Sequence, residues 1–294
     1  SIDGWVVTGF MALAPAFDLR SVAINRSAPE YMEGIVNSQT MAEIYRAPLV
    51  SPVSEAMRAV YERGQSLGNS PRTITKVGDS VSANKFYLEP MRDSRAALGA
   101  YAYLRDTIAY FGASAAQPSI ASRIGMSTYT VLDPMWADKT ICEPNETPLA
   151  CEYRVKKPIA AFIVFGPNDV RSMTETDFAG QIRKIIEVSL EMGVIPILST
   201  FSVSPDDGLF PQALNFNREL VRLAAETQVP LINFWAGARL LPDYGLDTDG
   251  VHPKNTGFDY LKFDNGSEAY AGTALHNLLS IRMLEELRLT FGLN

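Results

Sequence analysis

The sequence predicts an α/β protein in which helices cover both faces of a parallel β-sheet. Apolar, β-branched runs alternate with amphipathic stretches over residues 73–234. One run, residues 159–165, is almost continuously apolar, which is typical of a strand buried on both faces of a parallel sheet. Because parallel neighbours need a crossover connection, the alternation predicts a three-layer α/β/α sandwich.

Five segments have the composition of strands, with β-branched or aliphatic residues bounded by turn residues. The first breaks at Gly78 and presents Ser80 at its carboxyl end, ahead of a helix expected to begin near Ala83. Parallel-sheet proteins place their chemistry at this edge. The predicted strands are residues 73–77, 119–126, 159–165, 194–200 and 230–234.

The intervening segments carry apolar residues at every third or fourth position, the spacing of an amphipathic helix. Thr174 and Asp177 have the pattern of a helix start, and Gly193 is expected to end that helix. Gly112 is expected to follow the end of an earlier helix, residues 93–110. Further helices are predicted to begin near residue 51, to cover residues 211–227 and to cover residues 275–287.

Composition limits the classes of partner. The chain has 294 residues, 47% of them hydrophobic, and a net charge of −7. Its basic residues are scattered, so nucleic acid is not expected as a partner. Residues 5–17 are apolar but too short for a transmembrane helix. The chain begins at Ser1, and no basic segment precedes the apolar stretch, so we expect any leader to have been removed or to lie outside this sequence.

The two cysteines, Cys142 and Cys151, enclose a polar, proline-containing loop. Two free thiols are one possibility, but the only two cysteines flank a turn, which favours a disulfide. Disulfides persist in oxidising compartments. The pairing therefore predicts a secreted, periplasmic or otherwise extracellular protein.

Four short motifs follow predicted strands or lie in a late loop: Gly78-Asp79-Ser80, Gly125 in Arg123–Ser127, Gly166-Pro167-Asn168-Asp169 and Asp249-Gly250-Val251-His252. Their order resembles that of the SGNH (GDSL-type) hydrolases. That family carries a Ser in Gly-Asp-Ser, a Gly, an Asn in Gly-x-Asn-Asp and a His in Asp-x-x-His. The resemblance covers roughly residues 73–260, with Val81 where the family commonly has Leu. It favours the flavodoxin-like order 2-1-3-4-5 for the five strands.

A serine hydroxyl needs a base within hydrogen-bond reach and a third group that fixes the tautomer of that base. Ser80, His252 and Asp249 can fill these roles, because Asp249 precedes His252 by three positions and one loop can hold both. The other histidine, His276, lies among leucines and is expected to pack in a helix.

The resemblance also implies an oxyanion hole formed by the backbone N–H groups of Ser80 and Gly125 and by the side-chain amide of Asn168. Asp79 and Asp169 are expected to make local turn and helix-start hydrogen bonds. Dense Cys/His spacing is absent from the sequence, so no metal or other cofactor is expected. The Gly-x-Ser-x-Gly elbow of the α/β-hydrolases is also absent.

The family normally begins near its Gly-Asp-Ser strand, so residues 1–70 are predicted to form an N-terminal extension that packs on a catalytic domain, residues 71–294. The segment 255–271, which follows the histidine motif, is expected to rim the cleft.

The predicted function is a serine esterase that hydrolyses carbohydrate O-acyl or lipid esters through an acyl-enzyme. Two alternatives use the same fold: an O-acyltransferase, and a non-catalytic module that binds glycans or lipids.

Overall fold

The computed structural model describes residues 35–93, 96–257 and 260–294. Its central feature is a parallel sheet of four strands in the order β1-β2-β3-β4, counted over these residues. All seven residues of β2 are buried, so helices cover both faces of the sheet, as its apolar sequence predicts. The strands are β1 Ser70–Gly78, β2 Pro158–Val164, β3 Ile195–Ser199 and β4 Leu231–Ile232.

The predicted five-stranded sheet is wrong in one strand, because residues 119–126 form only a single parallel bridge between Ser122 and Gly78. The Gly78 N–H donates to the Ala121 carbonyl at 2.9 Å, and the Arg123 N–H donates to the Gly78 carbonyl at 3.1 Å. The chain then turns, since the Met126 N–H bonds back to the Arg123 carbonyl. A pairing this short is not a strand, and the order 2-1-3-4-5 is not observed.

Most predicted helices agree with the amphipathic segments of the sequence, but the helix expected to begin near Ala83 instead spans Ser80–Ala83 and ends there, because Asn84 takes an extended conformation. Thr174 caps its helix by accepting a hydrogen bond from the Asp177 N–H, as predicted. The helices are α1 Ile35–Arg46, α2 Ala56–Ser66, α3 Ser80–Ala83, α4 Arg105–Ala115, α5 Pro148–Lys156, α6 Glu175–Glu191, α7 Phe210–Thr227, α8 Phe234–Ala238 and α9 Gly272–Phe291.

One helix differs from its prediction at both ends. The segment predicted as helix 93–110 begins as a 3₁₀ turn, Gly99–Leu104, and α4 starts only at Arg105. The helix also passes through Gly112, where a Cβ would lie 2.6 Å from the Met91 carbonyl oxygen. Gly112 is therefore required for close backbone packing and does not end the helix.

The helices form two groups around the sheet. α4 and α8 both contact α9, whereas α1 and α6 both contact α7. Phenylalanines join α6 to α7, because the rings of Phe178 and Phe216 stack with centroids 4.2 Å apart. Burial of large apolar side chains in both groups is the main source of stability.

The described part of the N-terminal segment packs on the β4 edge of the sheet. Val50 forms an antiparallel bridge with Ile232, and the Ser51 N–H donates to the Leu231 carbonyl at 3.0 Å. The apolar stretch 5–17 and the rest of residues 1–34 lie outside the described residues. In the ranges that the structure describes, no helix combines the length and the apolar character that a membrane span needs.

The predicted disulfide is present between Cys142 and Cys151. Cys151 lies in α5 and is fully buried. Glu146 is the third member of this potential metal-ligand group, but it pairs with Arg154 at 2.8 Å. The two sulfurs are bonded to each other, so they are not thiolate ligands.

Candidate active site

Ser80 stands at the carboxyl end of β1, where the sequence predicts it. Gly78, the last residue of β1, lies so close to β2 that a Cβ would be 2.1 Å from the Val164 carbonyl oxygen. Asp79 then caps α3, its Oδ1 accepting from the Val81 N–H at 2.9 Å. Ser80 is therefore the first residue of a short helix and is half-buried.

A continuous chain of hydrogen bonds joins Ser80, His252 and Asp249. The Ser80 Oγ lies 2.8 Å from the His252 Nε2, and the His252 Nδ1 lies 2.6 Å from the Asp249 Oδ2. The carboxylate on Nδ1 favours the tautomer in which Nε2 is free to accept the serine proton. The structure thus brings together the three residues that the sequence assigns to nucleophile, base and orienting acid.

One loop positions both His252 and Asp249. The Asp249 Oδ1 accepts from the backbone N–H groups of His252 and Val251, each at 2.9 Å. Burial alone would raise the pKa of Asp249, but these two backbone hydrogen bonds and the bond to the imidazole outweigh it and lower the pKa. Asp249 is therefore ionised at neutral pH.

Asn168 follows β2 at the same edge of the sheet, because Gly78 and Val164 pair in neighbouring strands. Its Nδ2 donates one proton to the Met126 carbonyl at 3.0 Å. An amide nitrogen carries two protons, so the second can donate to a bound oxyanion.

Gly125 lies in the turn that the Met126-to-Arg123 hydrogen bond closes. Its φ of +79° is a conformation that favours glycine, and its surroundings are open. The residue itself is exposed. The contact between Asn168 and Met126 brings the Gly125 turn and the Asn168 loop together at the predicted oxyanion hole.

Two buried carboxyl groups lie beneath this site. Asp79 caps α3 locally, as predicted, whereas the side chain of Asp169 also bonds a distant residue. Its Oδ1 accepts from the Thr128 N–H at 2.8 Å and from the Thr128 Oγ1 at 2.6 Å. Thr128 follows the Gly125 turn, so Asp169 holds that turn against the Asn168 loop. The local sequence pattern carries no sign of this contact across 41 positions.

Burial raises the pKa of Asp79 to about 7, and the neighbouring Asp169 carboxyl adds to the shift. Burial also raises the pKa of Asp169, against the hydrogen bonds from Thr128. The Oδ2 atoms of both groups are buried without a hydrogen-bond partner. The folded protein therefore favours the neutral form of Asp79 more strongly than water does.

His276 lies in α9, away from this hydrogen-bonded chain. Its ring stacks between Tyr87 and Phe234, with centroid distances of 4.5 and 4.4 Å, and its Nε2 lies 3.0 Å from the Ser199 Oγ. Burial lowers the pKa of His276 to about 3. The ring is a neutral packing element, as its leucine-rich surroundings predict.

Comparison with known proteins finds no matching family model and no matching curated protein. Solved structures similar to the chain include a GDSL-like lipase from Bacteroides thetaiotaomicron, with 15% identity and a TM-score of 0.45, covering 79% of this chain and 98% of the lipase. A lipase/acylhydrolase from Enterococcus faecalis has 21% identity and a TM-score of 0.43, and the match covers 74% of this chain and 96% of the acylhydrolase. A mutant acetyl-xylooligosaccharide esterase from Geobacillus has 16% identity and a TM-score of 0.47, and the match covers 74% of this chain and 95% of the esterase.

GDSL-like lipases and esterases are thus among the structures similar to this chain, as the resemblance in the four motifs predicts. The identities are low and the TM-scores are below 0.5. The roles assigned below therefore rest on the geometry of the site alone.

Proposed function

We propose that this chain is a serine hydrolase of carboxylic esters, with Ser80 as the nucleophile, His252 as the base and Asp249 as the residue that orients the base. One observation carries the proposal: the unbroken hydrogen-bonded chain from Ser80 Oγ through both ring nitrogens of His252 to Asp249. A hydroxyl bonded to an imidazole that is itself oriented by a carboxylate is the arrangement that activates serine.

In acylation, the Ser80 Oγ attacks the ester carbonyl while His252 Nε2 takes the hydroxyl proton. The imidazolium then gives this proton to the departing alkoxide, which leaves as an alcohol. In deacylation, a water molecule gives its proton to His252 and attacks the acyl-serine. The acid leaves and the proton returns to Ser80, so the enzyme is restored.

Each attack places negative charge on the carbonyl oxygen. We assign its stabilisation to the backbone N–H groups of Ser80 and Gly125 and to the second amide proton of Asn168. The Asn168 amide is uncharged, so it can stabilise the oxyanion without disturbing the proton affinity of His252.

The exposure of the site favours hydrolysis over acyl transfer. The side chains of His252 and Asp249 are about 38% and 50% exposed, so water can reach an acyl group on Ser80. An acyltransferase must exclude water from its acyl-enzyme, and this open geometry gives no such protection. The intact hydrogen-bonded chain likewise speaks against a module that only binds glycans or lipids.

The disulfide supports a place of action in an oxidising compartment, outside the cytoplasm. We keep the division into an extension of residues 1–70 and a catalytic domain of residues 71–294 as part of this proposal.

A fluorophosphonate probe tests the assignment directly. We expect it to label Ser80, and we expect Ser80→Ala to lose both labelling and ester hydrolysis while keeping the circular dichroism spectrum of the wild type. His276→Gln, on the second histidine, is the matched control and is expected to keep both. Labelling at another residue, or full activity in His252→Ala, would overturn the assignment.

Asn168→Ala separates the oxyanion role from nucleophile activation. Loss of one oxyanion donor lowers kcat by about 10²–10³-fold, whereas the Ser80–His252 pair stays intact and some labelling remains. Turnover of a soluble acetyl ester measures the effect. A change of less than about threefold would remove Asn168 from the oxyanion hole.

A further inference from the structure

Large apolar side chains are strongly exposed in the segment 124–141, next to the candidate active site. Ile124 is 87% exposed, Met135 84% and Trp136 52%. Tyr129 and Ile141 in the same segment are also about half-exposed. Exposed apolar groups that are concentrated in one place mark an interaction surface, whereas single exposed ones need no explanation.

Hydrogen bonds tie this segment to the predicted oxyanion turn. The Arg123 guanidinium donates to the Trp136 carbonyl, so the short 3₁₀ turn Pro134–Trp136 lies against the turn that contains Ile124 and Gly125. The next residue, Met126, accepts from Asn168. Ile124, Met135 and Trp136, here called the apolar rim, therefore border the entrance to the site.

We infer that the apolar rim docks the enzyme onto the surface of a lipid aggregate, so that lipid esters are the substrates of the site. This inference rests on the proposed function. The rim combines two strongly exposed aliphatic side chains with a half-exposed tryptophan. Aliphatic side chains gain by leaving water for hydrocarbon, and tryptophan favours the boundary between hydrocarbon and water. A carbohydrate would instead pack its rings on flat aromatic faces, and the two most exposed side chains of the rim, Ile124 and Met135, are not aromatic.

The charge of the segment matches a neutral or zwitterionic lipid surface. Residues 123–141 contain two basic and two acidic residues, so their net charge is 2 − 2 = 0, and the whole chain carries −7. The acidic groups are engaged locally: Asp133 accepts from the Met135 N–H, and Asp138 accepts from Thr140. The apolar rim can therefore approach a neutral or zwitterionic lipid surface without electrostatic repulsion. An anionic lipid surface would instead repel the rest of this acidic protein.

Binding to phosphatidylcholine vesicles tests the inference without any turnover. In the Ser80→Ala background, we expect the protein to sediment with the vesicles. Ile124→Ser and Met135→Ser should each reduce the partition coefficient about tenfold, as expected when one large apolar side chain no longer enters the lipid.

Leu289→Ser is the matched control. Leu289 is 63% exposed, and it lies at the end of α9, where Asn294 accepts from Arg72 near the start of β1. Ser80 follows the other end of β1, so Leu289 is at the opposite edge of the sheet. We expect Leu289→Ser to bind vesicles like the parent protein.

Fluorescence gives a second readout. Phosphatidylcholine with brominated acyl chains should quench part of the tryptophan emission of the parent protein, because bromine quenches only indoles that enter the hydrocarbon. The Trp136→Phe variant should lack this quenched part of the emission. Trp235 is fully buried and should not respond.

Equal vesicle binding by the Ile124→Ser, Met135→Ser and parent proteins would overturn the inference, and so would the absence of any binding. Retention on acetylated polysaccharide that these two substitutions abolish would assign the rim to a glycan instead. Wild-type hydrolysis of a dissolved acetyl ester reports on the proposed function separately, so either idea can fail without the other.

Discussion

At the scale of single residues, Asp79 and His276 are expected to make the free energy of unfolding depend on pH in opposite directions. The pKa of His276 is about 3 in the fold, against 6.5 for a histidine exposed to water. Between these values the unfolded chain binds the extra proton, so stability rises with pH. The pKa of Asp79 is about 7 in the fold, against 3.8 for an aspartate exposed to water. Between pH 3.8 and about 7 the folded protein binds the extra proton, so the free energy of unfolding falls as pH rises.

We predict that His276→Gln and Asp79→Asn change the slope of stability against pH in opposite directions. Between pH 5 and 6 the two groups largely cancel in the wild type. Removing His276 should make the slope more negative by roughly 1 kcal/mol per pH unit, and removing Asp79 should make it more positive by a similar amount. Urea unfolding at several pH values measures both slopes, and a shift of the same sign in both variants would contradict the burial argument.

At the scale of structural elements, the disulfide is expected to stabilise the segment before α5. It closes a loop between residues nine positions apart, and the entropy that such a loop removes from the unfolded chain corresponds to about 2–3 kcal/mol. The double variant Cys142→Ser/Cys151→Ser should lose about this much free energy of unfolding. Alkylation of the wild type with and without a reductant is the check, because free thiols in the unreduced protein would remove both the stabilisation and the argument for export.

The segment 255–271 is expected to influence substrate choice more than the chemical step. The Tyr260 ring stacks on Phe86, six positions after Ser80, with centroids 4.3 Å apart. The Asn277 Nδ2 donates hydrogen bonds to the Phe86 carbonyl at 2.9 Å and to the Tyr260 carbonyl at 3.2 Å. This places Tyr260 against the stretch of chain that follows Ser80, although residues 258 and 259 lie outside the described ranges.

Tyr260→Ala should therefore change the ratio of rates on long and short acyl esters by more than it changes the rate on an acetyl ester. Tyr103→Ala, at another half-exposed tyrosine, is the control and should leave the ratio unchanged. Equal losses on every ester in a folded Tyr260→Ala variant would mean that the segment supports His252 structurally.

At the scale of the whole molecule, the described part of the N-terminal extension completes the β4 edge of the core. The fully buried Asn233 joins the two parts. Its Nδ2 donates to the carbonyls of Ile44 at 2.8 Å and Ala47 at 3.1 Å, and its Oδ1 accepts from the Thr200 Oγ1 at 3.1 Å. An edge strand without such cover is a site of aggregation.

We predict that Asn233→Ala lowers the free energy of unfolding by about 2–4 kcal/mol, because it removes the hydrogen bonds to Ile44 and Ala47 and leaves the buried Thr200 hydroxyl without its acceptor. The exposed Gln117→Ala is the control and should stay within about 0.5 kcal/mol of the wild type. Denaturant unfolding measures both variants. A small effect of Asn233→Ala would show that the described N-terminal segment contributes little to the stability of the sheet.

The sequence by itself determined the elements that depend on local chemistry. The apolar run of β2, the Thr174 cap of α6 and the pairing of Asp249 with His252 three positions later are all readable from neighbouring residues. Periodicity and capping report interactions within a few residues, so they predict strands, helices and the short loop that pairs Asp249 with His252 well.

Only the tertiary structure decided contacts between distant parts of the chain. Residues 119–126 have the composition of a strand, yet the bond from the Ile120 N–H to Glu152 and the turn at Arg123 leave a single bridge. Gly112 continues its helix because the Met91 backbone lies against it. Asp169 bonds Thr128 across 41 positions. The physical reason is the same in each case: the deciding partner comes from another element, and local patterns carry no information about which element will lie there.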